Sequence, residues 1–245
     1  MNNKEAMLDS KRTEEVAETA AEFTLPGEER LLPPSVAAVI ANLEADIIHG
    51  RILPRSRLIE DHLMEDYNAK RHTVRAALDE LGRLGVIVKP RHRGAELRRF
   101  DAKSINQLYE IRELLHRAAI RGIRQPTDAQ IANLERWLRE HAKVSASTDV
   151  VAIHRANMMF HEALFGLCGN PFITASIRQY DWVSFPIRAY GVGDRSALAQ
   201  AGKEHIEMVD HLKAGRMADL ENLAVTHMKR ARDLYEMKFP ESKPR

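Results

Sequence analysis

From Ala102 onward the chain carries helical periodicity and no strand signal. Apolar residues return every three or four positions, and the runs are separated by breakers such as Pro126-Thr127-Asp128, Gly169-Asn170-Pro171 and Gly215. The pattern predicts six helices, over 102–123, 128–144, 150–167, 171–190, 196–214 and 217–237, with Pro186 kinking the fourth. Amphipathic helices bury their stripes against one another. Residues 101–240 are therefore expected to form an all-α antiparallel helical bundle.

The remainder sets the domain count. A chain of 245 residues is long enough for two hydrophobic cores, and 44% hydrophobic with 29% charged residues excludes a disordered or low-complexity protein. Residues 1–30 hold four basic and eight acidic side chains, end at Pro26-Gly27, and read as a disordered acidic tail. The single cysteine, Cys168, demands no oxidising compartment. No apolar run approaches the roughly 20 residues of a membrane span. The expectation is a cytoplasmic protein with no membrane partner.

Residues 31–100 have a different grammar. After Pro33-Pro34, Ser35 is placed to cap a helix whose Val36, Val39, Ile40, Leu43 and Ile47 form one stripe, ended by Gly50. Helices over Ile59–Tyr67 and Arg71–Leu84 follow, then a hairpin of Val86–Val88 and Ala95–Arg98 around Pro90 to Gly94. Three helices and a hairpin are the order of a winged helix-turn-helix. The expected fold class is thus mainly α, with an N-terminal winged helix-turn-helix domain before the bundle.

On the third helix Val74, Ala77, Leu78, Leu81 and Leu84 share one stripe, and Arg71, His72 and Arg75 occupy the opposite side. Arginine in the first turn of such a helix is able to donate two hydrogen bonds to guanine in the major groove or to meet phosphate. Lys70, Thr73 and the helix N-terminus add phosphate donors, and the wing adds Lys89, Arg91, His92, Arg93, Arg98 and Arg99 beside Gly94. Double-stranded DNA is the expected partner, with Lys70, Arg71, His72, Thr73, Arg75, Arg93 and Gly94 as its contacts. A merely solvated basic face is the alternative.

The spacing of Gly50-x3-Pro54, Leu58-x4-Leu63, Lys70-Arg71-His72-Thr73-Val74-Arg75-x2-Leu78 and Leu81-x3-Gly85 resembles the DNA-binding pattern of the GntR family of bacterial transcription regulators. That pattern usually has Pro-Gly where Pro54-Arg55 stands and Ser-Arg-Thr-Pro-Val-Arg where Lys70 to Arg75 stands. Both arginines are kept.

In the bundle, the informative residues are polar groups on apolar stripes, because burying them unpartnered costs several kcal/mol. Arg112 lies among Ile105, Leu108, Leu115 and Ala119, and needs an anion: a ligand or a bundle carboxylate. Asn157 and His161 are four residues apart beside Ile153, Phe160 and Leu164, with His154 one turn earlier as a candidate outer partner. His205 shares a stripe with Val209 and Leu212, and His227 lies among Leu220, Leu223, Ala224, Ala231 and Leu234, whereas His211 falls outside. Converging neutral imidazoles suit Zn²⁺ or Ni²⁺, and separate satisfied core histidines are the alternative.

Asn157-Met158-Met159-Phe160-His161, Gly169-Asn170, Glu204-His205 and His227 resemble the FCD ligand-binding domain of the FadR-type branch, in its six-helix VanR-like form. The resemblance implies a divalent metal on Asn157, His161, His205 and His227, and a carboxylate effector bound with the help of Arg112. Asn157 stands where Asp is usual and brings no charge, so a metal-free anion pocket is the other form the site could take. His116 stands where an acid is common.

These readings converge on a metabolite-responsive repressor that binds a pseudo-palindromic operator as a homodimer and is released by a small organic acid. A metal-dependent hydrolase and an effector-independent DNA-binding bundle are the competing classes. The sequence holds no His-Glu-x-x-His helix, Gly-x-Ser-x-Gly elbow or phosphate-cradling glycine loop, so no catalytic residue is expected.

Overall fold

The computed structural model describes residues 32–91, 94–192 and 194–240. The expected acidic tail, and His92 and Arg93 of the wing, lie outside the described residues.

The N-terminal domain opens with α1 (Pro34–Ile48), whose buried face is Val36, Val39, Ile40, Leu43, Ile47 and Ile48. Its N-cap is Pro33 and no side chain caps it, so Ser35 does not have the capping role read from the sequence. Pro34 in the first turn lacks an N–H that would otherwise need a partner. Next come β1 (Arg57–Leu58), α2 (Glu60–Asp66), α3 (Arg71–Arg83), β2 (Ile87–Val88) and β3 (Ala95–Leu97). The strands form an antiparallel sheet in the order β1-β3-β2, with Leu58 opposite Ala95 and Ile87 opposite Leu97. The sequence reading found the β2–β3 wing and missed β1.

The bundle contains α4 (Ala102–Gly122), α5 (Asp128–Ser145), α6 (Val150–Gly166), α7 (Pro171–Val183), α8 (Phe185–Arg188), α9 (Arg195–Lys213) and α10 (Met217–Lys238), with a 3-10 turn at Ala189–Gly191. Five starts are fixed by side-chain caps: Asp101, Thr127, Asp149, Asn170 and Asp194 each accept a backbone N–H of the first turn. Thr127 and Gln130 form a reciprocal capping box.

The fourth expected helix, 171–190, is a correction. It stops at Val183 and restarts after Ser184 as a single turn. Pro186 cannot donate to the carbonyl four residues back, and its ring excludes a continuous helix there. Beyond the break Arg188 lines the bundle cavity, and Tyr190 lies against the DNA-binding domain, where its hydroxyl donates to the Ile52 carbonyl at 2.7 Å.

Two apolar cores form, but they do not divide at the domain boundary. One joins Leu43, Leu81, Ile87 and Leu97 of the winged domain to Phe185, Ile187, Tyr190 and Tyr235 of the bundle. The other, around Phe160, Leu134, Leu164, Met208 and Leu220, belongs to the bundle alone. Among the described residues no helix is long and apolar enough to cross a membrane.

Candidate DNA interface and histidine-lined cavity

The basic face of α3 is displayed as the sequence predicts. Lys70, Arg71, His72 and Arg75 are exposed, and Asn68, with φ +46°, turns the chain into the helix. Asparagine tolerates this left-handed conformation better than most residues. The arginines are held by the acidic start of α2: Arg71 reaches Asp61 at 2.5 Å and Glu60 at 3.4 Å, and Arg75 reaches Glu60 at 2.8 Å. These exposed ion pairs are weak and exchangeable, and they hold both guanidinium groups on the outward face.

Thr73 departs from the expectation. It is 5% exposed and shares the inward side with Ala77 and Glu80, four and seven positions on, so it is not displayed with the cations. The wing also differs from a uniformly basic strip. Lys89 pairs with Asp79, while Arg91 is exposed. Arg98 is half-buried over the Phe100 ring, and Arg99 bonds the Pro240 carbonyl. Gly94 is exposed with φ +75°, and a Cβ there would meet nothing, so it serves as a turn residue.

In the bundle His161, His205 and His227, from α6, α9 and α10, converge, with ligand atoms all within 4.8 Å of one another. Nε2 of His227 lies 3.3 Å from that of His205 and 3.2 Å from that of His161. Nitrogens on a tetrahedral Zn²⁺ at about 2.0–2.1 Å stand about 3.3–3.4 Å apart, so these two separations fit such an ion. His227 Nδ1 lies 2.7 Å from Glu204 Oε2, an arrangement that places the proton on Nδ1 and leaves a lone pair on Nε2. Nδ1 of His161 and of His205 are buried without partners, so no tautomer choice satisfies every ring nitrogen among the described residues. Burial holds His161 and His205 well below the ordinary histidine pKa, with further contributions from neighbouring histidines, so both present neutral imidazole. The donor set fits a divalent cation.

Glu204 is named in the sequence only within the Glu204-His205 motif, and the structure gives it a role not assigned to it there. Burial opposes its charge, but hydrogen bonds from His227, Arg230 and Gln200 win and hold the carboxyl well below its usual range. Arg230 grips it through two nitrogens at 2.5 and 2.7 Å. The signal was present: Glu204 is one residue from a stripe histidine, and Arg230 is one turn beyond His227. His154, expected to support the cluster, instead sets its ring 5.3 Å from Phe185, while Glu204 makes the supporting contact. His211 is half-buried, accepts from Arg216, and stands outside the cluster as expected.

His161 and His227 line a cavity of about 120 Å³, together with Asn157, His116, Arg112 and Arg188. Asn157 thus faces the same space as the histidines. Arg112 is 4% exposed and donates through Nη2 to Asp181 at 2.8 Å, while its Nε and Nη1 are buried without partners. The two readings of Arg112 therefore both have a footing: a bundle carboxylate takes one donor, and two remain. His116, whose ring is tilted 37° to that of Phe165 with centroids 4.3 Å apart, is held neutral by burial, with the Arg112 charge adding to the effect.

Residues 36–97 match the model of bacterial regulatory proteins, gntR family, and residues 107–230 match the FCD domain. The chain is 27% identical over 130 residues to the HTH-type transcriptional regulator YdhC of Bacillus subtilis (strain 168), covering 52% of this chain and 58% of that protein. It is 28% identical over 126 residues to the Nta operon transcriptional regulator of Aminobacter aminovorans, covering 51% and 60% respectively. The chain therefore spans less than two thirds of the length of these two relatives. Its fold is similar to that of a GntR transcriptional regulator from Rhodococcus sp. RHA1 and to E. coli McbR/YncC, each with a TM-score of 0.67 over 84% of this chain. Identities are 21% and 18%, and 100% and 99% of those chains are covered. With both halves matched in order, the chain belongs to the gntR family of bacterial regulatory proteins and carries an FCD domain as its C-terminal part.

Proposed function

We propose that this protein is a metabolite-responsive repressor that binds a pseudo-palindromic operator as a homodimer and leaves it when a small organic acid enters the bundle cavity. Lys70, Arg71, His72 and Arg75 contact DNA from α3, and the wing, with Arg93 and Gly94, contacts it alongside. Thr73 positions α3 from its inner side. Zn²⁺ or Ni²⁺ is held by His161, His205 and His227, with Asn157 offering a neutral oxygen. The ion supplies a positive centre for a carboxylate oxygen, and Arg112 supplies directed N–H donors.

One observation carries this reading. Three imidazole nitrogens converge beside the cavity that also receives a buried arginine with two unpartnered donors. A bundle without an effector has no use for that pair of features. The hydrolase reading is not retained, since the matching relatives are transcriptional regulators and, among the described residues, Glu204 beside the cluster is occupied by His227 and Arg230. Release requires that the acid bind one bundle arrangement better than the other, so that occupancy shifts the spacing of the two reading heads.

The test pairs elemental analysis with operator binding. Purified protein is expected to carry about one Zn²⁺ or Ni²⁺ per chain, lost in His161→Ala, and a panel of short carboxylic acids is expected to weaken operator binding of the wild type but not of Arg112→Ala. Absence of metal after loading, together with operator binding indifferent to every acid, would sink the proposal.

A further inference from the structure

The arginine side of the cavity has more positive charge than its own acid can balance. Arg112 from α4 and Arg188 from α8 face the cavity with a single carboxylate, Asp181 from α7. Arg112 spends one donor on that carboxylate and keeps two buried and unpartnered. Arg188 meets neutral acceptors: Ser184 Oγ at 3.3 Å, Met158 Sδ at 3.0 Å and the Asp181 backbone carbonyl at 2.9 Å. Among the described residues no carboxylate lies within ion-pair distance of it. Guanidinium groups remain charged in proteins, and an unbalanced buried charge is costly until an anion arrives. Burial works against the Arg188 charge, and Asp181 offsets that only in part.

The histidine side is also short of negative charge. The converging imidazoles bring no negative charge, Asn157 brings none, and Glu204 is already gripped by Arg230. A divalent ion there would have no protein anion in direct contact among the residues that converge on it. A monocarboxylate could serve one side and would leave the other uncompensated.

We propose that the cavity is built for a small dianion, a short dicarboxylate with one carboxylate on Arg112 and Arg188 and the other on the histidine side, and that Arg188 selects it over a monocarboxylate of equal length. The cavity of about 120 Å³ suits a short chain. This rests on the effector reading given above and narrows it to one class. Arg188 stands four residues after Ser184 and seven after Asp181, and its guanidinium bonds both on one face.

The experiment is isothermal titration of the full chain, Zn²⁺-loaded and metal-free, with succinate, glutarate and adipate against butyrate, valerate and hexanoate. At least one dicarboxylate is expected to bind loaded protein about tenfold or more tightly than the monocarboxylate of its own length, as an added charge-assisted pair implies. In Arg188→Met the gap should shrink to less than about threefold with metal content unchanged, and Arg188→Lys should keep part of it. A purely structural cap on α7 would shift stability in Arg188→Met and leave the ligand ratio alone. Equal binding of mono- and dicarboxylates by the wild type overturns the inference, and that comparison needs no variant to fold. So does a gap that survives in Arg188→Met. If monocarboxylates alone bind and release operator DNA, the dianion fails and the repressor reading stands; if neither class binds, both fall.

Discussion

Arg55 is a non-glycine residue with φ +70°, at the position where the resembled DNA-binding pattern has glycine. Its N–H bonds the Leu97 carbonyl, so the strained conformation is fixed by the join between β1 and β3. Left-handed backbone costs an L-residue roughly 1 kcal/mol or more, and glycine escapes the clash while giving up some chain entropy. Arg55→Gly is expected to raise stability by about 0.5–1 kcal/mol in urea unfolding, and a lowered midpoint would show that the arginine side chain contributes more than its backbone costs. Buried histidines act in the opposite sense as the solution is acidified. Burial lowers His154 to about 3 and His141 to about 4. The unfolded chain takes up protons as pH drops below the usual 6.5 while the folded chain does not. Stability should therefore be flat above that value and decline toward pH 4, by at most about 1.4 kcal/mol per pH unit for each such group. Urea midpoints measured across pH 4–8 check this, and His154→Phe should reduce the slope.

At the scale of elements, α2 and α3 form an electrostatic pair in which acids at the start of one helix occupy the arginines of the other. On the proposed DNA-binding role, DNA has to compete with Glu60 and Asp61 for Arg71 and Arg75. Arg71→Ala is expected to weaken operator binding and lower the magnitude of its salt slope by about one, while Glu60→Gln should tighten binding by freeing Arg75, with Arg71 still paired to Asp61. Fluorescence anisotropy at several salt concentrations measures both, and an unchanged slope in Arg71→Ala would remove it from the interface. Most element boundaries were legible in the sequence because they are written locally: Asp101, Thr127, Asp149, Asn170 and Asp194 cap their own helices. β1 was not, since two residues have no periodicity to detect. The histidine cluster was readable because each imidazole sits on an apolar stripe. Asp181 and Arg188 were not, because a charged residue on a helix reads as solvated until a partner on another helix buries it.

For the whole molecule, the segment from Phe185 to Val192 is shared property. Arg188, Gly191 and Val192 line the cavity, Ile187 and Tyr190 belong to the core that includes the winged domain, and Tyr190 bonds Ile52. Val183, just before it, would meet a Cβ on Gly85 at 3.1 Å, so the two domains approach closely where the wing begins. Tyr190→Phe should cost about 1 kcal/mol and diminish the effect of bound acid on operator affinity while leaving both separate affinities nearly unchanged. Comparing operator titrations with and without ligand tests it; full response in the variant would place the coupling elsewhere. The mixed core has a consequence for modular engineering. A winged domain cut free at the linker would lose Phe185, Ile187, Tyr190 and Tyr235 from its packing and present that apolar face to water, so its reading head is not a portable cassette. A chimera that joins this DNA-binding domain to another sensor has to transplant the docking segment as well as the linker.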